Sequence, residues 1–353
     1  MADQVTDRTA HPGARSQRVL GLDAARGLAI VAMVIAHGLP FISTRVSDSA
    51  MFVLHQVNDL ASPLFALVMG AAAALAFARG SASRGIARSV TKGLALILLA
   101  VGLEQLDHWV AVILHILGLL LMVGTPLLLL GSRWLLGLAA ALFAAGPWVI
   151  EGLTRAAGGV AGSQPVTTIW ATNPLVQWLV LNPHYRVLTL LPLFLVGAVL
   201  ARRGVGDERT SWWCALAGLA MVWASFAAGL MGQPVVFSGD FPDQVQEDGL
   251  ALAAYGMVMA TGVVGARGKS LCAVQRPLAL IGQVALSLYV GHVLLLVPLI
   301  ARFPQGGWLA MAILLAVSLV TAWAWARFVG QGPVEWVLER VSPSRQVRHV
   351  GMA

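Results

Sequence analysis

The stretch Leu20–His37, LGLDAARGLAIVAMVIAH, places an acid, a base and an imidazole within one apolar run. Asp23 and Arg26 are three residues apart, so on a helix they share a face and can form an ion pair. His37 lies 11 residues beyond Arg26, which is about 16 Å along a helix axis. Its imidazole, with an ordinary pKa of about 6.5, suits proton transfer at neutral pH. Ionisable groups in a membrane span usually face a cavity or a bundle interior, so this stretch predicts a functional site.

The same three residues also have structural interpretations. Asp23 and Arg26 can simply anchor the inner end of the helix, or Arg26 can bind an anionic cofactor, because a planar guanidinium suits phosphate. His37 can be an interfacial histidine bonded to a loop, or a general base. The residues alone leave both interpretations open.

A second candidate pair, His55 and Asp59, stands four residues apart just before the apolar run LASPLFALVMG. On a helix the two would share a face, and the carboxylate would orient the imidazole and stabilise its protonated form. Spacing of this kind in an outer loop is also common by chance. We take Asp59 as a candidate because it is so near the apolar run.

Further acids and imidazoles fall near one tight turn and in a late span. The turn holds Glu104, Asp107 and His108, with His115 slightly deeper. It is either a solvated turn or a source of a base, and Asp107 is the better candidate of its two acids. His292 lies inside the apolar run ALSLYVGHVLLLVPL, where a packed core histidine is the structural alternative. No histidine pair has the spacing of a zinc helix, so no metal is expected.

A basic segment, RGSASRGIARSVTK, separates the second and third apolar runs. Its Arg84 and Arg88 can bind the phosphates of a nucleotide-type cofactor, or can simply set the membrane topology. The chain has no Walker loop, dinucleotide fingerprint or nucleophile elbow.

Composition indicates which elements must position these residues. Of 353 residues, 58% are hydrophobic and 11% are charged, whereas soluble proteins have roughly 25% charged residues. Runs of about 20 apolar residues recur along the chain, which predicts an all-α, polytopic bundle of transmembrane helices. The net charge of +7 arises from short loops, so no nucleic-acid partner is expected. Cys214 and Cys272 offer no disulfide framework.

About ten spans are predicted over residues 19–327. They are 19–39, 60–78, 91–106, 109–130, 134–150, 187–201, 211–231, 249–266, 277–300 and 306–327. Residues 1–18 are predicted to be a disordered cytoplasmic tail, polar enough that no cleavable signal peptide is expected. Residues 328–353 are predicted to be a cytoplasmic tail with a short interfacial helix around GPVEWVLERV.

Loop charges orient these spans. Alternate loops hold 11 basic residues, whereas the intervening loops hold only Arg45, Arg155, Arg186 and Arg302. By the positive-inside rule the first set and both termini face the cytoplasm, as expected of a multi-pass protein of the plasma membrane. His37, His55 and His292 then lie toward the outer side. Two outer segments, 151–186 and 232–248, are long, and the first is predicted to hold a re-entrant or interfacial helix.

Three blocks resemble a known family. The pattern R-x-x-x-LDxxRGLAIxxMVxxH, from Arg18 to His37, resembles the opening span of the transmembrane acyltransferase superfamily. This superfamily includes acyltransferase-3 proteins and relatives of heparan-α-glucosaminide N-acetyltransferase. DLASPLFALVMG, which begins at Asp59, resembles the second block of the heparan-type group. LIGQVALSLYVGHVLLL resembles a late span of both groups. The three blocks occur in order and cover about a fifth of the chain.

The resemblance implies an acyl-CoA donor reached from the cytoplasm and an acceptor hydroxyl or amine outside. Position by position, Asp23 and Arg26 match the first-span pair, His37 the acyltransferase-3 histidine, and Asp59 the second-span acid. Heparan-type members have Asn where this chain has His37. Their essential histidine also stands further upstream of the acid than His55 does, so the residues leave the identity of the base open.

The sequence therefore predicts a membrane acyltransferase that moves an acyl group, with acetyl expected, from acetyl-CoA to an extracytoplasmic glycan or exported metabolite. The base would be His37, or else His55 or His292, with Asp59 or Asp107 orienting it. Asp23, Arg26, Arg84 and Arg88 would hold the CoA. The alternatives are a transporter whose buried histidines and acids relay protons, and an accessory membrane protein. The oligomeric state is not predicted.

Overall fold

The computed structural model describes residues 12–159, 168–230, 238–267 and 269–342. These residues form helices joined by turns and loops, and they contain no strand. Within these residues, eight helices are long and apolar enough to cross a membrane. The predicted class, a polytopic helical membrane protein, is therefore confirmed, while the count of ten spans and the cytoplasmic termini stay predictions. The helices are α1 (Pro12–Gly38), α2 (Asp48–Phe77), α3 (Ala82–Leu103), α4 (Leu114–Leu127), α5 (Ser132–Ala156), α6 (Pro174–Val176), α7 (Val187–Gly204), α8 (Glu208–Leu230), α9 (Phe241–Arg267), α10 (Lys269–Gln283), α11 (Ala285–Arg302), α12 (Trp308–Phe328) and α13 (Pro333–Val341).

The ends of the chain differ in part from prediction. Helix α1 begins at Pro12, so residues 12–18, assigned to the tail, continue the first helix. Helix α13 confirms the predicted short helix near the C-terminus. The rest of the two tails, residues 1–11 and 343–353, lies outside the described residues.

The predicted single span 277–300 is wrong, because the chain breaks at Val284 into α10 and α11. The Val284 amide donates to the Ile281 carbonyl at 3.1 Å, which tightens the turn to a three-residue repeat. The break starts a new helix in the protein interior. The first backbone amides of α11 therefore need acceptors from elsewhere in the chain.

Helix α10 packs directly against the inner half of α1 through paired glycines. A Cβ on Gly27 would lie 1.9 Å from the Leu278 carbonyl oxygen, and a Cβ on Gly282 would lie 1.9 Å from that of Asp23. Only glycine permits this backbone approach. The crossing holds the Asp23–Arg26 turn of α1 close to the start of α11.

A second glycine crossing joins α2 to α7. A Cβ on Gly70 would lie 1.9 Å from the carbonyl oxygen of Phe194, and a Cβ on Gly197 would lie 2.0 Å from that of Leu67. Helices α1, α2, α4, α7 and the inner faces of α11 and α12 contribute to one continuous apolar core. These helices form the walls of the candidate site.

The long outer segment 151–186 differs in part from prediction. Its first residues continue α5 to Ala156, and a short helical segment forms at residues 174–181, where a re-entrant or interfacial helix is predicted. Pro174 begins a single helical turn, which a π-helical turn follows at Gln177–Leu181. Residues 160–167, and residues 232–237 of the second outer segment, lie outside the described residues.

Candidate active site

Two histidines from distant parts of the chain meet near the C-terminal end of α1. His37 Nδ1 and His292 Nε2 are 2.7 Å apart, and the imidazole rings stack with centroids 5.0 Å apart. His292 is completely buried, whereas His37 is only partly buried. Burial of one ring and partial exposure of the other leave His37 as the imidazole that an acceptor could reach. We call these two residues the histidine pair.

The hydrogen bonds determine which nitrogen of each neutral ring carries the proton. His292 Nδ1 lies 3.1 Å from the Leu288 carbonyl oxygen, which only accepts, so Nδ1–H donates. His292 Nε2 is then an acceptor, and His37 Nδ1–H must donate to it. His37 Nε2 is left with its lone pair. This is the protonation state that a general base requires.

Neighbouring side chains restrict the histidine pair. The Tyr289 ring lies edge-on to both imidazoles, with centroids 6.4 Å from His37 and 5.3 Å from His292. Tyr289 precedes His292 by three residues, so the two share a face of α11. Trp109 Nε1 donates to the His37 carbonyl at 3.0 Å, and Pro40 in the next turn ends the helix. The pair is therefore held by three chain segments: α1 with its following turn, the loop that contains Trp109, and α11.

Below the histidine pair lies a cavity of about 270 Å³, which we call the inner cavity. Arg26 and Met33 line it from α1, Lys92 from α3, Tyr289 from α11 and Glu335 from α13. Arg26, Met33 and His37 stand on one face of α1, because steps of seven and four residues are near-whole helical turns. The inner cavity thus extends from the Arg26 turn to Tyr289, whose ring contacts the histidine pair.

Cations converge at the Arg26 end of the inner cavity. Arg26 Nη1 is 2.8 Å from Asp23 Oδ1, so the predicted ion pair is formed. Lys92 interacts electrostatically with both Arg88 and Arg26, and the buried Nε of Arg88 has no hydrogen-bond partner. Arg84 is exposed, one turn further from the cavity, and donates to Ser81 Oγ at 3.0 Å. Arg26, Arg88 and Lys92 can therefore bind an anionic group here, with Arg84 at the periphery.

Glu335 of α13 closes the same end of the inner cavity. Its Oε1 accepts from the backbone amides of Leu286 at 2.7 Å and Ser287 at 3.1 Å, and the Ser287 hydroxyl donates to Oε2. Ser287 Oγ in turn accepts from the Val334 amide at 3.0 Å. These bonds satisfy the amides left free by the break at Val284, and they place a carboxylate at the positive end of α11.

The predicted orienting acids lie elsewhere. Asp59 lines a separate cavity of about 170 Å³ together with His184, Tyr185, Asp243 and Glu247, which we call the outer polar pocket. Asp59 Oδ1 accepts from Asn58 at 3.0 Å. Asp107 is exposed in the turn after α3. The groups that orient His37 are His292 and, through it, the Leu288 carbonyl, so the expected role of Asp59 or Asp107 is not seen.

Burial strongly perturbs the ionisable groups of the outer polar pocket. Burial, with the charges of Asp59 and Asp240 nearby, raises the pKa of Asp243 to about 6. The Gly239 amide, which donates to Asp243 Oδ2 at 2.7 Å, opposes this rise. Burial lowers the pKa of the neighbouring Arg186 to about 10. The Asp243 carboxyl can therefore hold a proton at mildly acidic pH, where an exposed aspartate is ionised.

The remaining candidates separate from the histidine pair. His55 is exposed in the N-terminal part of α2. His115 Nδ1 lies 3.3 Å from Glu104 Oε1 but makes no hydrogen bond, so these two members of the predicted turn cluster are close without being bonded. Among the described residues no group of three or more metal-ligating side chains comes together.

Sequence reasoning did not identify three residues of this site. Tyr289 and Glu335 carried no signal of their own, although Tyr289 stands three residues before His292 in the resembling block. Lys92 belonged to the basic segment, and its spacing of four residues from Arg88 could have singled it out.

One comparison with known proteins gives a match over most of the chain. A family model described as an acyltransferase domain matches residues 19–327. The match covers the histidine pair, the inner cavity apart from α13, and both glycine crossings. No curated protein matches the chain at a significant level.

Proposed function

Because the chain belongs to the acyltransferase-3 family, we propose that it transfers an acyl group from acyl-CoA, entering from the cytoplasm, to a hydroxyl or amine on the outer side of the membrane. The observation that carries this proposal is the inner cavity, which has cations at one end and the histidine pair beside the other. A general base and an anion-binding mouth are the two features that such a transfer requires of the protein.

His37 is the proposed general base. Its Nε2 takes the proton of the acceptor hydroxyl as the acceptor oxygen attacks the thioester carbonyl carbon. The carbon–sulfur bond then breaks, and His37 returns the proton to the departing CoA sulfur. His292 is the proposed positioning residue, because it accepts from His37 Nδ1 and so keeps the His37 Nε2 lone pair available.

Arg26, Arg88 and Lys92 are proposed to bind the CoA phosphates. The distance of about 16 Å from Arg26 to His37 along α1 suits an extended pantetheine arm lying in the inner cavity. Asp23 orients Arg26 through their ion pair. Arg84, one turn outward, would add only long-range attraction.

The finer assignments extend the proposal. Acetyl-CoA is the proposed donor, and an envelope glycan or exported metabolite is the proposed acceptor, in the plasma membrane. A heparan-type subtype is less supported, because those members have Asn at the position of His37.

The test uses purified protein in lipid nanodiscs with radiolabelled acetyl-CoA, alone and with envelope extract. Release of free CoA and transfer of label should fall about 10²–10⁴-fold in His37→Ala, the usual contribution of a general base. Lys92→Ala should weaken acetyl-CoA binding while leaving the pH dependence of the rate unchanged. No binding of acetyl-CoA and no transfer to any acceptor would overturn the proposal.

The outer polar pocket favours a second candidate function, a proton-coupled transporter. Asp59, Asp243 and Glu247 form a group of carboxylates in one pocket, and burial raises the pKa of Asp243 to about 6. In that case proteoliposomes would show proton movement that requires Asp243 and is independent of acyl-CoA. Acyl transfer that persists in Asp243→Asn would favour the acyltransferase instead.

A further inference from the structure

A second cavity, of about 340 Å³, lies beside His292 between α11 and α12. We call it the lateral groove. Leu288, Gly291 and Leu295 line it from α11, and Val317 and Trp325 line it from α12. None of these residues lines the inner cavity. His292 therefore has a groove on one side and, through Tyr289 and His37, the inner cavity on the other.

The lateral groove opens toward lipid. Gly291, Val317 and Trp325 are exposed although they lie on two helices long and apolar enough to span the membrane. Exposed apolar side chains on such helices face hydrocarbon. A ligand could therefore enter the groove sideways from the bilayer, and its matching part would be a hydrocarbon chain.

One polar group in the lateral groove lacks a partner. Ser318 is 6% exposed, lines the groove, and its Oγ has no hydrogen-bond partner. A buried hydroxyl without a partner is costly, which points to a ligand that supplies one. His292 lies ten residues before Arg302, where α11 ends. Ser318 lies ten residues after Trp308, where α12 begins. The two polar groups are therefore at about the same level of the antiparallel helices.

We propose that the lateral groove binds an amphiphilic acceptor, whose hydrocarbon chain lies along α11 and α12 and whose polar end hydrogen-bonds Ser318 Oγ at the level of the histidine pair. The proposal rests on the proposed function and specifies its acceptor class. The donor would arrive through the inner cavity with its cationic mouth, and the acceptor through the lipid-facing groove. The histidine pair stands between the two.

Binding is tested independently of acyl transfer, using a long-chain primary alcohol that carries a diazirine in its chain. The probe is photo-crosslinked to the full-length protein in nanodiscs, and the labelled peptides are identified by mass spectrometry. Label should concentrate on α11 and α12, and an unlabelled alcohol of equal length should compete better than the corresponding alkane. Label spread evenly over the lipid-facing helices would overturn the proposal.

Gly291→Leu provides a matched test, because a Cβ at Gly291 meets no atom within 4 Å and the new side chain extends into the groove. Labelling of α11 and α12 should fall at least about tenfold, the low end of the effect of one misplaced methylene in a hydrophobic pocket. The control is Gly137→Leu, since Gly137 is also a helical glycine with open space but lies on α5. Equal labelling in the two variants would overturn the proposal.

Two further arms identify the ligand. Ser318→Ala should remove the advantage of the alcohol over the alkane, whereas Ser318→Thr should retain it. Long-chain acyl-CoA should compete for the groove no better than acetyl-CoA does. If it competes much better, the groove holds the acyl chain of the donor and the acceptor assignment is wrong. Loss of acetyl-CoA turnover with intact groove labelling would instead contradict only the proposed function.

Discussion

The hydrogen-bond chain from Leu288 through His292 to His37 leads to a specific prediction about two substitutions at one position. In His292→Gln the side-chain carbonyl can take the place of Nε2 and still accept from His37 Nδ1–H. In His292→Leu the volume is similar, but the acceptor is lost. The first variant should therefore retain most activity, and the second should lose much of it.

The expected loss of rate follows from the hydrogen-bond acceptor that His37 would lose in His292→Leu. A buried donor left without an acceptor costs about 1–3 kcal/mol, and each 1.4 kcal/mol corresponds to about tenfold in rate. His292→Leu should therefore lower the rate about 5- to 150-fold. Without the acceptor, nothing keeps the His37 proton on Nδ1 and leaves Nε2 free to act as the base. His37→Ala should lose about 10²–10⁴-fold.

The assay measures free CoA released from radiolabelled acetyl-CoA by purified variants in nanodiscs, with envelope extract as the source of acceptor. His55→Ala serves as the control, because His55 is an exposed histidine of α2 and is not a hydrogen-bond partner of the pair. The pH dependence of the rate should keep its shape in His292→Gln. Full activity in His292→Leu, or equal loss in both variants, would refute the hydrogen-bond argument.

Three further predictions concern other parts of the molecule. Lys92→Ala should weaken acetyl-CoA binding about tenfold, as expected for the loss of one charged hydrogen bond of about 1.5 kcal/mol. Arg84→Ala should weaken binding less. Equal affinities of the two variants in isothermal titration calorimetry would contradict this prediction. Gly27→Ala should lower the free energy of unfolding by about 1–3 kcal/mol, measured by thermal melts, because the new Cβ overpacks against α10. Gly102→Ala should be neutral or stabilising in the same melts, because a Cβ there meets open space. Wild-type stability should fall as pH rises from about 4 to 6, because native Asp243, with its pKa raised to about 6, keeps a proton that the unfolded chain releases. Asp243→Asn should reduce the dependence of stability on pH between about 4 and 6, and should stabilise the protein above pH 6. The gain is at most about 3 kcal/mol, at about 1.4 kcal/mol per pKa unit. An unchanged dependence of the melting temperature on pH would contradict this prediction.

Helix positions were largely predictable because a span must satisfy its own backbone and bury apolar side chains over a fixed length. The exceptions have physical causes. The break at Val284 depends on Glu335, which lies 48 and 49 residues beyond the two amides of the new helix end for which it supplies the acceptors. No periodicity within ALIGQVALSLYVGH indicates that break, because both halves are equally apolar.

Parts of the candidate site were predictable for the same reason. Asp23 and Arg26 are neighbours on one helix turn, so their ion pair follows from spacing alone. The pairing of His37 with His292 could not be derived in this way, because it depends on how α11 packs against α1. The assignment of Asp59 as an orienting group relied on local spacing, and the packing of α2 against α7 and α9 places it in the outer polar pocket instead.

The amino-acid sequence by itself determined a membrane-embedded helical protein with an ion pair and an imidazole on one face of its first span. These properties depend on hydropathy and helical repeat, which act over a few residues. The tertiary structure decided which imidazole supports His37, where the cations converge, and that two cavities flank the histidine pair. Contacts between helices distant in sequence are set by close backbone packing, such as that of Gly27 against Leu278, and this packing leaves no local trace in the pattern of residues.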